Sequence, residues 1–352
     1  MTNYIFPFVI SILVSLILTF LVKNYCNKKK LALSEPRARD VHIKPVPRLG
    51  GVAVFVTFWL VVFGYCLLNP HKFNFVGEQI LGIDKNLMGV FLGSVILFLV
   101  GVYDDIKGVN AWVKLFFQVL SGIIIVYFGI NIWWFANPLG GANIELGKWT
   151  YLFVPIWIVL LINVVNWLDG IDGLASGISG ITLLILFFLS ISPLVNQSAT
   201  ALVCIILAGA VLGFLPLNFN PAKIFLGDSG SMFLGFMIAI AAIISGGKIA
   251  TVALILGVPI LDAIWVILRR LISGKSPMAA DKYHIHHRFL RAGFSQRQTV
   301  LFLYAISLIF GLIALQSGTR AKLVAGLWML VIMVIIGAGL IYINHQKKDR
   351  NV

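Results

Sequence analysis

The stretch NVVNWLDGIDGLASG, residues 163–177, sets two Asn and two Asp between two apolar runs. The run before it (151–167) and the run after it (174–192) are each close to the roughly 20 residues that carry an α-helix across a bilayer. Carboxylates at such an edge are costly unless protein or a ligand offsets them. The stretch therefore reads as a polar turn between two membrane-spanning helices.

The rest of the chain is built the same way. Of 352 residues, 60% are apolar and 11% charged, where a soluble domain carries about 25% charged residues. The mean hydropathy is +0.98. These values predict an all-α polytopic membrane protein and exclude an ordinary soluble domain. Eleven spans are expected, at about 4–22, 51–68, 87–103, 111–129, 151–167, 174–192, 199–216, 230–245, 249–270, 298–316 and 322–343. Pro259 predicts a kink or break in the ninth. No basic residue precedes the first apolar run, so a cleaved signal peptide is not expected. Cys26, Cys66 and Cys204 form no CxxC pattern and read as packing residues. With no linker, low-complexity tract or repeat, residues 1–352 read as one membrane-embedded domain. Loops at about 23–49, 103–111, 167–174, 217–229 and 271–297 are expected to form its active site.

Basicity often signals nucleic acid, and here 27 Lys and Arg face 13 Asp and Glu. Mapped onto the loops, however, 21 of the basic residues fall on one side and 6 on the other if the N-terminus lies outside. This positive-inside split predicts an outer N-terminus and a cytoplasmic C-terminus. The charge is mostly topogenic, and no nucleic-acid partner is expected.

Asp104, Asp105, Asp169, Asp172 and Asp228 all map to cytoplasmic helix ends. The third and fifth spans run inward, so Asp104, Asp105 and Asp169 sit at helix C-termini, where the dipole disfavours a carboxylate. Such acids need a cation nearby. Asn163, Asn166, Asp169 and Asp172 step by three, and Gly170 and Gly173 let the helix end between them. The segment reads as half of a divalent-cation site. The other half is NFNPAKIFLGDSGSMFLG, where Asp228 reads as the N-cap of the eighth span. Lys114, in the first turn of the fourth span, suits a contact with phosphate. HIKPVPRLGG reads as a rigid, extended basic segment whose Lys44 and Arg48 can touch phosphate.

The loop DKYHIHHRFLRAGFSQRQTV holds His284, His286 and His287. A His cluster suggests zinc, but the loop has no Cys and is strongly basic, which fits an anionic or sugar ligand better. Asp262, one turn after Pro259, is the only acid well inside a span and calls for a basic partner or a polar cavity. An oxygen-ligated Mg²⁺, or Mn²⁺ in its place, keeps waters and binds substrate phosphates. At a membrane edge it can join a soluble phosphate donor to a lipid acceptor.

The motifs GVYDDIKG, NVVNWLDGIDGLASG, NFNPAKIFLGDSG and HIHH, in this order, resemble those of the polyprenyl-phosphate N-acetylhexosamine-1-phosphate transferases. The resemblance runs from about residue 45 to 299. ADKYHIHHRFLRAGFSQRQTV is similar to the WecA/TagO type, whereas MraY-type enzymes have three consecutive His where Ile285 intervenes here. The resemblance implies transfer of GlcNAc-1-phosphate from UDP-GlcNAc to undecaprenyl phosphate, with Mg²⁺, at the cytoplasmic face of a bacterial plasma membrane. It would be the first membrane step of a cell-envelope polysaccharide of teichoic acid or O-antigen type. It implies metal binding by Asp228 with Asn166 and Asp169 close by, and a general base or nucleophile at Asp104 or Asp105. It places Lys114 at the diphosphate, Phe225 and Asn218 at the uracil with Asp172 nearby, and the three His with Arg291 at the sugar. The kinked ninth span would border the lipid groove. A homodimer is the only protein assembly anticipated. The alternatives are an MraY-type enzyme using UDP-MurNAc-pentapeptide, a CDP-alcohol phosphatidyltransferase and a cation-coupled transporter. The phosphatidyltransferase pattern needs an Ala-Arg that DGIDGLASGISG lacks. A transporter predicts midplane ionisable residues, and Asp262 is one where several are expected.

Overall fold

The computed structural model describes residues 2–34, 45–75, 78–193, 195–245, 248–274 and 284–350. Lys44 lies outside them, as do Lys282 and the rest of 275–283. The described chain is helical apart from three two-stranded ribbons. The helices are α1 (Thr2–Lys29), α2 (Gly50–Leu68), α3 (Lys85–Lys107), α4 (Ala111–Tyr127), α5 (Thr150–Leu168), α6 (Leu174–Ile191) and α7 (Ser198–Asn218). They continue as α8 (Gly227–Ile244), α9 (Ile249–Ile255), α10 (Gly257–Ile272), α11 (Ile285–Arg291), α12 (Gln296–Gln316) and α13 (Thr319–Arg350). Nine described helices are long and apolar enough to cross a membrane, and α9 with α10 makes a tenth span if counted together. The chain is thus a polytopic helical membrane protein.

One expected span is shorter than the sequence reading has it, and the ninth is broken as expected. The fourth, α4, is a shorter apolar helix of 17 residues. The ninth is two helices bent by 79°. The break falls at Leu256, three residues before Pro259. Pro259 sits in the first turn of α10, where its missing N–H leaves no intrahelical bond unmade.

The bundle inverts the soluble pattern. On α1, Ile5, Phe6, Leu13, Ile17 and Phe20 face outward, while Ser11, Ser15 and Thr19 are fully buried. The buried hydroxyls meet Gly209 and Gly213 of α7, and Ser15 donates to the Ala210 carbonyl. Hydrocarbon solvates Leu and Phe as well as a protein core does, so small residues that let backbones approach mark the helix interface.

At the centre lies α8, buried around nearly its whole circumference. It packs against α2, α3 and α5. Its N-terminal turn is where the C-termini of α3 and α5 and the N-terminus of α4 converge. The extended segment β2 (Val46–Pro47) pairs antiparallel with β1 (Leu33–Ser34) and closes this end. It also hydrogen-bonds the strand-like approach to α8: Phe225 N donates to Pro47 O at 2.7 Å, and Gly50 N to Phe225 O at 2.9 Å. Within the described part of this stretch Val46–Pro47 is extended, whereas Gly50 and Gly51 already belong to α2.

Candidate active site

The acids of three helices meet at the start of α8. Carboxylate oxygens of Asp104, Asp105 and Asp228 all lie within 4.8 Å of one another. Lys114 Nζ reaches between two of them, 2.8 Å from Asp228 Oδ2 and 3.3 Å from Asp104 Oδ2. Asp104 Oδ1 also accepts from Val109 N at 2.6 Å, which holds the carboxylate at the end of α3.

Asp105, the next residue, has a different task. Its oxygens accept from Asp228 N at 2.8 Å, Ser229 N at 3.0 Å and Ser229 Oγ at 2.7 Å. Asp169 Oδ2 accepts from Gly227 N at 3.1 Å. The free N–H groups that open α8 are therefore capped by carboxylates from α3 and from the end of α5. This corrects the reading of Asp228 as the N-cap. Asp228 lies inside the first turn, and its backbone N–H is itself capped. The correction matters for chemistry, because it leaves the Asp228 carboxylate to face Asp104 and Lys114. Gly227 makes the entry possible: its φ is +73°, and a Cβ there would stand 2.0 Å from the Arg48 carbonyl oxygen.

Desolvation, then the charge of Asp228, raises the Asp169 pKa well above the usual carboxylate range, and Asp105 adds to the rise. The Arg48 charge and the Gly227 N–H oppose it. Arg48 is thus placed where a basic side chain influences the acids.

Asn166 Nδ2 donates to Ser231 Oγ at 2.9 Å, one turn along α8 from the acids. Asn163 lies deeper, donating to Gln118 Oε1 and Val159 O at 2.8 Å. Asp172 does swing back after the glycines, but onto the loop before α8. It accepts from Asn220 Nδ2 at 2.9 Å and Ala222 N at 3.0 Å. Asn218, which the resemblance puts at the uracil, faces the protein interior. It is 1% exposed, accepts from Ser176 Oγ at 2.7 Å and donates to Ile224 O at 3.0 Å. Both ends of its amide brace the 219–224 turn from inside. Phe225 is half-buried beside that turn.

The His segment packs against the turn that follows Asp169. His286 lies against Gly170, where a Cβ would come 2.5 Å from Nε2. His284 and His286 are buried, with parallel rings 5.8 Å apart. His287 is half-buried beside His286, and Arg291 is exposed at the end of α11. Burial, then the neighbouring His287 and His284, lowers the His286 pKa well below its ordinary value, so the ring is neutral near pH 7. Asp262 finds the basic partner its burial demands: Oδ2 is 2.8 Å from His284 Nδ1, and Oδ1 accepts from Ile285 N at 2.9 Å.

The sequence reading missed Gln118, Asn220 and Ser229. Gln118 had a signal, since it follows Lys114 by one turn on the same face of α4. The other two are specified by contacts 48 and 124 residues away in sequence.

The donor set suits a divalent cation. Four carboxylates, Asp104, Asp105, Asp169 and Asp228, crowd one turn of helix, with Lys114 as the ammonium between two of them. Hard oxygen ligands with excess negative charge fit Mg²⁺ or Mn²⁺. Since Asp105 spends its oxygens on α8, Asp228 and Asp104 are the principal candidates, with Asp169 and Asn166 flanking.

A profile described as glycosyl transferase family 4 matches residues 87–246, a span that contains the acid cluster. A Bacillus subtilis protein named probable undecaprenyl-phosphate N-acetylglucosaminyl 1-phosphate transferase is 33% identical, over 99% of this chain and 94% of its own. The chain belongs to glycosyl transferase family 4. An undecaprenyl-phosphate alpha-N-acetylglucosaminyl 1-phosphate transferase of Thermotoga maritima is 31% identical over 87% of this chain and 88% of its own. A decaprenyl-phosphate N-acetylglucosaminephosphotransferase of Mycobacterium tuberculosis is 33% identical over 78% and 72%.

Proposed function

We propose that this protein transfers GlcNAc-1-phosphate from UDP-GlcNAc to undecaprenyl phosphate, giving undecaprenyl-diphosphate-GlcNAc and UMP. The observation that carries the reading is the convergence of Asp104, Asp228 and Lys114 at one end of the bundle, in a chain similar over nearly its whole length to a protein named for this transfer. The names of these three relatives specify N-acetylglucosamine, which counts against a UDP-MurNAc-pentapeptide donor. The Lys and Arg split supports a cytoplasmic acid end and an outer N-terminus, and eleven spans follow if α4 and the α9–α10 pair each cross the bacterial plasma membrane.

In this reading an oxygen of the lipid phosphate attacks the phosphorus that bears GlcNAc, and the bond to the UMP phosphate breaks. Asp104 takes the proton of the lipid phosphate on its carboxylate. Lys114 turns from Asp104 and Asp228 toward the diphosphate and offsets the charge that develops there. Asp228, with Asp104, Asp169 and Asn166 around it, would hold Mg²⁺ or Mn²⁺. The bound cation would neutralise the diphosphate and the departing UMP. Asp105 keeps α8 and its carboxylate in place. Arg48, Arg291 and the His segment supply the basic and polar groups for the nucleotide-sugar, and Lys44, outside the described residues, is proposed to add a phosphate contact.

The test is UMP release by the purified protein in detergent, with and without undecaprenyl phosphate and with Mg²⁺ or EDTA. Release that needs both lipid and metal supports the reading. Release from UDP-MurNAc-pentapeptide alone, or from neither donor, overturns it.

A further inference from the structure

Asp262 stands apart from the acid cluster, on the helix that follows the 79° break. It is 8% exposed, and both of its oxygens are committed to one short segment. Oδ1 accepts from Ile285 N at 2.9 Å, and Oδ2 lies 2.8 Å from His284 Nδ1. An ionised carboxylate offers only acceptors. Facing those oxygens, His284 carries a proton on Nδ1, and its Nε2 points away from Asp262. The His284 ring stacks parallel to that of His286, which rests on Gly170, the residue after Asp169. A continuous chain of contacts thus runs from α10 through the two rings to the turn beside the acids. Trp167 of α5, 6.1 Å from His284 by ring centroid, closes the other side.

We propose that Asp262 is a positioning residue of the transfer reaction. It fixes the tautomer of His284 and holds the 284–287 segment against the 169–170 turn, so that the broken helix sets where this segment meets the donor sugar-nucleotide. The kinetic part rests on the function proposed above.

Asp262→Asn keeps the volume and the acceptor for Ile285 N. Its NH₂ group faces Nδ1 with a donor, so the His284 proton must move to Nε2. The experiment uses full-length protein in detergent, labelled with nitrogen-15 histidine and studied at about pH 8, where an unperturbed imidazole is neutral. The His284 signals are assigned by their loss in His284→Gln. The parent is expected to show His284 protonated on Nδ1 and Asp262→Asn to show it on Nε2. In the same preparations, kcat/KM for UDP-GlcNAc is expected to fall about 10–100-fold in Asp262→Asn, the scale of losing a residue that orients a functional imidazole. KM for undecaprenyl phosphate should stay within about twofold, because the loss is confined to one substrate. Asp262→Glu, which restores an acceptor at Nδ1, should recover part of the activity.

Parent kinetics in Asp262→Asn, or a parent His284 protonated on Nε2, would sink the inference. An equal loss toward both substrates with a lowered melting temperature would reduce Asp262 to a structural brace and also overturn it. Absence of UMP release by the parent would fail the proposed function instead, while the tautomer measurement would still decide the anchor.

Discussion

Two carboxylate sites in this bundle use the same side chain in opposite ways. At Asp262 the charge is answered within the chain, because one imidazole N–H and one backbone N–H take both oxygens. At the start of α8 several carboxylates gather around one ammonium, and two of them, Asp104 and Asp228, share it. The first arrangement is complete within the chain. The second keeps several acids against one ammonium, the excess charge that a bound cation would offset under the proposed function. Asp105 stands between these cases: it belongs to the cluster by distance but serves as a brace by its bonds.

The largest effect should come from Asp228→Asn. UMP release should fall by about 10²–10³ or more, the scale of losing one preorganised electrostatic contact. Its melting temperature without metal should hold, since relief of repulsion from the neighbouring acids offsets the lost Lys114 contact, and added Mg²⁺ should stabilise it less than the parent. A drop in stability without metal would mean that the Asp228 carboxylate, like that of Asp262, is answered within the chain, and the contrast would collapse.

Asp105→Ala should behave in the reverse way. It leaves two buried N–H groups and the Ser229 hydroxyl without their acceptor, at about 2–4 kcal/mol in all. Denaturation in detergent would measure this. Stability equal to the parent would move Asp105 back among the groups that face substrate.

Gly213→Leu probes a region without charge. A Cβ at Gly213 would stand 2.3 Å from the Ile12 carbonyl oxygen, so α1 and α7 must separate, at about 1–3 kcal/mol. The melting temperature should drop while the kcat of the folded fraction is kept. A lost kcat would mean that this interface feeds into the site.

The smallest effect should be a pH slope from His286. Its folded pKa is depressed from the ordinary 6.5, so the unfolded chain binds the proton more tightly. Stability is therefore present above that value and is lost as pH falls below it. The melting temperature of the parent should decline through this window more steeply than that of His286→Gln. Equal slopes would show that the ring is protonated in the fold.

Much of this architecture was legible in residue order. Hydropathy exposes the spans because each must satisfy its own backbone and match one bilayer thickness. Local spacing exposes the break near Pro259, the helix ends at Gly170 and Gly173, and the gathering of acids at one face. These properties are set within a turn or two of chain. Asp228 shows where such reading stops. Its position before Ser-Gly-Ser looks like a cap, yet the caps come from Asp105, 123 residues earlier, and from Asp169, 58 residues from the N–H that it accepts. Asn218, a donor-side contact only by resemblance, is held inward by Ser176 and the Ile224 carbonyl, which no local pattern encodes.

Residue order alone thus establishes a helical membrane protein with its acids and most of its cations at one end. Which acid faces the chemistry and which one holds a helix depends on where hydrogen-bond donors from other helices arrive. That is settled by packing, because a carboxylate has a few lone pairs to give and the fold assigns them across distances that no local pattern encodes.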